Sequence, residues 1–291
     1  MTGVATAPVD SSSTGIVTKA DSAFYPGVMA LIRSLHVTNP HIPVVVFDAG
    51  MSFREVRNIH ATGAVTLPLT NRYEPRAATV QGTHYNASIF ALMEFDQLPF
   101  DRIVHLDADI VVLGSLDTFD SSLRDYDFLG VCDFPELTLA DNIGDRAQQE
   151  LACALFGIHE QELLAPAFNA GVFSISKSAY GRMRSLMEAV YESPLLLPLR
   201  DQTILNISLV AGGLRMAAPL PVHYNFRHRF RRAANVRWDT IEARHNLLIP
   251  RFCGKLVKIL HFIGPDKPWH QSFTDHPEAL RLWRQFSEST Q

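Results

Sequence analysis

Two carboxylates, Asp107 and Asp109, stand at i and i+2 directly after Arg102-Ile103-Val104-His105-Leu106, an apolar run with the length and β-branched content of a strand buried on both faces. Residues two apart in an extended chain point the same way. Both acids are therefore expected to converge on one small cation from a strand end, where an open α/β sheet presents its ligand site. Paired oxygen ligands suit Mg²⁺ or Mn²⁺, hard cations that also bridge to phosphate oxygens. The spacing alone does not decide between a metal site and a capped or solvated loop.

The elements around this stretch define what positions it. Gly15-Ile16-Val17-Thr18 predicts a first strand, and Phe24, Val28, Leu31, Ile32 and Leu35 recur at helical spacing as far as about Val37, before the stop at Asn39-Pro40. Ile42 to Phe47 predicts a second buried strand, Ser52 to His60 a helix capped by Ser52, and Ala64 to Leu67 a third strand. Alternating strands and helices of this kind predict a parallel sheet. Ala87 to Phe95 predicts the helix that leads into the Asp107/Asp109 strand.

Downstream, a strand over Asp127 to Val131 leads to Asp133, and an irregular, partly helical insertion occupies Pro135 to Pro166. Phe168 to Ile175 predicts a strand and Ala179 to Tyr191 an amphipathic helix, and Asp201 is placed to cap a helix running to about Val210. An arginine-dense segment from Arg227 to Arg237, a strand over Leu256 to Phe262, a turn through Trp269 and a closing helix near Pro277 to Phe286 complete the chain.

The chain has 291 residues, 47% of them hydrophobic, with a net charge of −4. That excludes a bulk basic surface for nucleic acid and gives enough chain for a large core. The three cysteines are far apart without CxxC pairing, which argues against a disulfide framework or zinc knuckle and for a reducing, cytoplasmic setting. Met1 to Thr14 is small and polar, with no charged and apolar export pattern, and is expected to be a disordered tail. No apolar run reaches the roughly 18 residues of a membrane span.

Hydrophobic residues followed by Asp107-x-Asp109-x-Val111 resemble the nucleophile motif of haloacid-dehalogenase-type phosphatases, where the first Asp is phosphorylated. That motif ends the first strand of its domain, whereas here two or three strand–helix units come before it. Three further segments favour another family. Phe168-Asn169-Ala170-Gly171-Val172, Asp201-Gln202-Thr203-Ile204-Leu205-Asn206 and His261-Phe262-x-Gly264-x-x-Lys267-Pro268-Trp269, together with Asp107-x-Asp109, resemble in order and spacing the glycogenin-like retaining glycosyltransferases of family 8. The resemblance runs from Gly15 to His270.

It implies a single GT-A domain over 15–291, a Rossmann-like nucleotide-sugar fold with a mixed, mostly parallel central sheet, and transfer of glucose or galactose from a UDP-sugar with retention. Carried onto this chain, it makes Asp107, Asp109 and His261 ligands of Mn²⁺, with Mg²⁺ as the alternative. Asp21, Tyr25 (or Phe24), Asp107, Ala108, Asp133, Asn169, Gly264 and Lys267 become donor contacts. Asp201 and Gln202 match the pair near the anomeric carbon, where they stabilise and position. The acceptor is then a hydroxyl of a glycolipid, polysaccharide or small molecule, and a homodimer is left open.

One departure stands out. The basic residue that family members carry before the Asp-x-Asp strand falls at Asn86, Ala87 or Ser88 here, so that contact is missing or is supplied elsewhere, for instance by Arg227, Arg229, Arg231, Arg232 or Arg237. A catalytically silent nucleotide-sugar-binding protein of the same fold is the alternative reading.

Overall fold

The computed structural model describes residues 14–69, 91–92, 94–121, 125–133, 137–228, 236–241, 247–273 and 277–288. The disordered tail expected over residues 1–14, most of the helix expected at Ala87 to Phe95, and Asn86 with its neighbours lie outside these residues, apart from Thr14 and the short stretch at 91–92 and 94–95.

The main sheet is built from β1 (Thr14–Ala20), β2 (Val44–Asp48), β3 (Val65–Pro68), β4 (Arg102–Leu106), β6 (Phe128–Cys132) and β7 (Phe168–Ser176), in the order β3-β2-β1-β4-β7-β6. Pairings β2–β3, β1–β2 and β1–β4 are parallel, and β7 runs antiparallel to both β4 and β6. This is the mixed, mostly parallel sheet expected. Between its first strands run α1 (Tyr25–Thr38) and α2 (Phe53–Ala61). Ser52 caps α2 through a reciprocal capping box with Glu55, as the Ser-x-x-Glu spacing predicts.

Because side chains alternate along a strand, the sheet separates two cores. Val17, Val45, Phe47, Ile103, Phe173 and Ile175 face one of them. That core is covered by α6 (Lys177–Glu192) through Tyr180, Met183 and Met187, and by α7 (Asp201–Ala211) through Ile204, Leu205 and Leu209. Ile16, Val44, Val46, Val104 and Leu106 face the other, packed with Val28, Leu31, Ile32 and Leu35 of α1.

The stretch from Arg102 to Leu113 is not one strand. After β4 the chain turns at Asp107 to Asp109, and β5 (Ile110–Val112) leaves the main sheet for a smaller one, β5-β12-β8, with β8 (Phe226–Arg227) and β12 (Ile259–His261). Likewise the strand expected over Leu256 to Phe262 is split into β11 (Lys255–Leu256) and β12. A third core, including Val111, Leu260, Phe262, Leu282 and Trp283, joins this small sheet to the closing helix α8 (Pro277–Ser287). The insertion after β6 contains α4 (Leu139–Ile143), α5 (Arg146–Phe156) and a 3₁₀ turn at Glu160–Leu164. No described helix is long and apolar enough to cross a membrane.

Candidate active site

The turn between β4 and β5 carries the two acids, so they converge across a bend rather than along an extended strand. Two backbone bonds fix that bend: Asp107 N–H donates to Gly171 O at 2.9 Å, and Phe262 N–H donates to Asp109 O at 2.9 Å. The antiparallel pairing of β5 with β12 sets His261 opposite Ile110, next to Asp109. His261 Nε2 consequently lies 3.1 Å from Asp109 Oδ1 and 3.8 Å from Asp107 Oδ2. Asp107, Asp109 and His261 each place one ligand atom within 4.8 Å of the others.

Gly171 on β7 is required for this closeness. A Cβ there would stand 2.6 Å from both Asp107 Oδ2 and His261 Cε1.

Electrostatics keep the acids ionised. Burial would raise the Asp109 carboxyl, but the Lys267 ammonium and His261 outweigh it and hold it at about 2. Burial acts the same way on Asp107, and Lys19 together with His105 holds it well below the ordinary carboxylate range. Lys19 Nζ donates to Asp107 Oδ1 at 2.7 Å and lies 3.3 Å from His105 Nε2. The β1–β4 register explains the contact: Val17 pairs with His105, and the residue two further along each strand projects from the same face at the strand ends.

Lys267 reaches the cluster through the turn after β12, in which Gly264 takes φ +92°, a region open to glycine. Its Nζ donates to Asp109 Oδ2 and, at 2.9 Å, to Phe262 O. The same ammonium lies 5.5 Å from the ring centroid of Phe24. Ala108, between the acids, is buried, and its carbonyl would lie 2.5 Å from a Cβ on Gly27 of α1.

A second group of polar side chains adjoins the first. Asn169 on β7 donates from Nδ2 to Asp133 Oδ1 at 3.2 Å and to Gln202 Oε1 at 3.0 Å. Asn206, one turn further along α7, clamps that helix to β7 by bonding both the N–H and the carbonyl of Phe168, at 2.7 and 2.8 Å. That clamp brings Gln202 to Asn169.

Asp201 is not the cap expected of it. The cap position is Arg200, at φ 51°, an unfavourable conformation for a side-chain-bearing residue, and Asp201 is the first helical residue. Its Oδ1 accepts from the Gln202 N–H at 3.0 Å. Burial pushes its carboxyl up, Lys19 opposes this and Asp107 adds to it, and the outcome is about 6.

Of the predicted residues, the structure thus brings together Asp107, Asp109, His261 and Lys267 in one group and Asp133, Asn169 and Gln202 in the adjoining one. Asp201 immediately precedes Gln202 and accepts from its N–H. Asp21 Oδ1 accepts from the Phe24 N–H at 3.0 Å, and the Tyr25 hydroxyl accepts from Asn58 Nδ2 at 3.0 Å. Of Phe24 and Tyr25, it is Phe24 whose ring lies beside the Lys267 ammonium. Sequence reasoning missed Lys19, His105 and Asn225. Lys19 had a signal, a lone charge inside an otherwise uncharged strand; Asn225 had none.

Of the arginine cluster, Arg227 is buried on β8 and ion-paired with Asp133, while Arg229, Arg231 and Arg232 lie outside the described residues. Burial lowers the Arg227 guanidinium to about 10.

The sheet order and strand arrangement are those of a GT-A type fold. The profile of glycosyl transferase family 8 matches residues 15–272, and the chain belongs to that family. This sets aside the phosphatase reading.

An active-site mutant of LgtC superposes with a TM-score of 0.62 at 20% identity, covering 94% of this chain and 95% of that one. The galactosyltransferase LgtC in complex with donor and acceptor sugar analogues gives 0.59 at 21% identity, with the same coverage. The glycosyltransferase GlyE of Streptococcus pneumoniae TIGR4 gives 0.57 at 19% identity, covering 96% of this chain and 61% of its own. No curated protein sequence matches at a significant level.

Proposed function

We propose that this chain is a retaining hexosyltransferase that moves glucose or galactose from a UDP-sugar to a hydroxyl acceptor, with Mn²⁺ as the cation and Mg²⁺ as the alternative. Residues 15–291 act as one catalytic domain. The observation that carries the reading is the cluster of Asp107, Asp109 and His261, three ligand atoms within 4.8 Å of one another. The donor set fits a divalent cation: two carboxylates held ionised supply hard oxygen ligands, and the imidazole favours Mn²⁺ over Mg²⁺. When bound, the cation would offset diphosphate charge as the sugar departs.

The chain's own groups do the rest. Lys267 offers an ammonium to the leaving diphosphate, and Gly264 lets the backbone approach its oxygens. Asp133, oriented by Arg227, and Asn169 recognise sugar hydroxyls. Lys19 supplies the cationic donor contact that the region of Asn86 lacks, since it already counters Asp107 and lies within electrostatic reach of Asp201. Phe24, rather than Tyr25, lines the donor beside Lys267, and Asp21 shapes the turn that presents it.

In the transfer, the bond from the anomeric carbon to the diphosphate oxygen breaks and a bond to the acceptor oxygen forms. The acceptor's proton passes to the departing diphosphate, so no protein base is needed. Asp201 and Gln202 stabilise and position the sugar, and with its carboxyl near 6 Asp201 is mostly ionised at neutral pH, in balance with Lys19. That LgtC was captured with donor and acceptor sugar analogues supports a two-substrate site of this kind.

The test is hydrolysis of UDP-glucose or UDP-galactose without acceptor, measured with Mn²⁺ and with EDTA. The wild type is expected to hydrolyse one donor only with the metal, and Asp109→Asn, folded by circular dichroism, is expected to lose the activity. Full activity in Asp109→Asn would refute the assignment.

A further inference from the structure

Asn225 lies between the two polar groups of the site, in the connection from a 3₁₀ turn at Val222–Tyr224 to β8, and is only 2% exposed. Its Oδ1 is 2.9 Å from His261 Nδ1, and its Nδ2 is 2.8 Å from Asn169 Oδ1. The orientation of every amide in this chain of contacts follows from two groups with only one possible role. The Gly171 backbone N–H is a donor, and it lies 3.0 Å from Asn169 Oδ1. The Asp133 carboxylate is an acceptor, and it lies 3.2 Å from Asn169 Nδ2.

Asn169 is thereby fixed with its oxygen toward Asn225 and its NH₂ toward Gln202. Asn225 must then turn its NH₂ to Asn169 and its oxygen to His261, so His261 Nδ1 carries a proton. Nε2 is then the nitrogen that faces Asp109 and Asp107, the one with a lone pair to give a cation that displaces its proton. Gln202 Oε1 accepts from Asn169, and lies 3.4 Å from the Ala170 N–H, so its NH₂ is the group left over. Gln202 Nε2 is buried and has no partner among the described residues.

We propose that Asn225 is a positioning residue that ties the two halves of the site together. It fixes the His261 tautomer that presents Nε2 to a divalent cation, and through Asn169 it leaves Gln202 as an N–H donor to an acceptor oxygen of the donor sugar. Gln202 therefore contacts the sugar through its amide hydrogens, and its carbonyl oxygen is not offered to the anomeric carbon. This inference rests on the metal reading of the Asp107, Asp109 and His261 cluster.

The experiment uses the full chain in three forms, wild type, Asn225→Asp and Asn225→Leu. Mn²⁺ affinity is followed by electron paramagnetic resonance of the free ion, and the His261 tautomer by ¹⁵N NMR of the metal-free protein at alkaline pH. The wild type is expected to keep Nδ1 protonated. Asn225→Leu, which loses the acceptor, should bind Mn²⁺ about 10- to 100-fold more weakly, the usual cost of removing a partner that orients a metal-bound histidine. Asn225→Asp retains an acceptor for Nδ1–H and should keep near-wild-type Mn²⁺ affinity while raising the KM for the UDP-sugar, because it no longer donates to Asn169.

A wild-type ring protonated at Nε2 alone, or equal Mn²⁺ affinity in wild type and Asn225→Leu, would overturn the proposal. Absence of Mn²⁺ binding in all three forms would instead refute the metal reading beneath it. The retained affinity of Asn225→Asp guards against a simple folding defect at this position.

Discussion

Asp201→Asn should make the metal-free protein more stable at alkaline pH, although it removes a residue of the proposed active site. The Asp201 carboxyl is pushed from 3.8 up to about 6 by burial, with Lys19 opposing and Asp107 reinforcing. The folded chain therefore holds this proton more tightly than the unfolded chain. Its contribution to stability is fully present below 3.8 and is lost as pH rises through about 6. A gap of about two units corresponds to roughly 3 kcal/mol, an upper figure because the side chain is partly exposed.

An amide cannot ionise, so Asn should escape this penalty. Linkage gives a stability gain over wild type of about 1 kcal/mol at about pH 4.5, widening to about 3 kcal/mol at about pH 8. Urea unfolding of both proteins in EDTA at the two pH values measures the difference directly. Other titrating groups, including His105, Asp107 and Asp109, contribute to both proteins and largely cancel in the comparison. A gap that stays constant or narrows with rising pH would refute the reasoning.

Further outcomes follow from the same geometry. Gly171→Ala places a methyl 2.6 Å from Asp107 Oδ2 and His261 Cε1, and should cost about 1–3 kcal/mol of stability together with measurable Mn²⁺ affinity by isothermal titration calorimetry. Lys267→Ala removes a charge-assisted contact, and should raise the KM for the UDP-sugar about 10- to 100-fold in steady-state kinetics. His105 is held at about 4 by burial and by the Lys19 ammonium, against the pull of Asp107. Below its ordinary 6.5 the unfolded chain takes up a proton that the folded chain refuses, so stability falls as pH drops from 6.5 towards about 4. Unfolding of His105→Gln across that window should show less acid loss, by about 3 kcal/mol at most.

The architecture was legible because the apolar runs that form β1, β2, β4 and β7 are buried on both faces and show it in their composition. The cluster of Asp107, Asp109 and His261 was reachable only through the order of distant motifs, since a strand pairing between β5 and β12 brings His261 to Asp109. Its local geometry was not legible: an extended chain and a tight turn both bring residues i and i+2 together, and only the bonds from Asp107 to Gly171 and from Phe262 to Asp109 select the turn. Asp201 was misplaced by one position because the chain reverses at Arg200, a residue whose positive φ no propensity predicts. Asn225 carried no periodicity or spacing signal, because its role comes from two contacts far away in the chain, His261 and Asn169.

The most direct test of the central claim is thermal stabilisation by UDP and by a panel of UDP-sugars, each with Mn²⁺, Mg²⁺ or EDTA. A ligand at a hundred times its dissociation constant adds about 2.7 kcal/mol. The account predicts a clear rise in Tm with UDP and one UDP-hexose in Mn²⁺, abolished by EDTA and by Asp109→Asn. No shift with any UDP ligand, or an equal shift in EDTA, would contradict it.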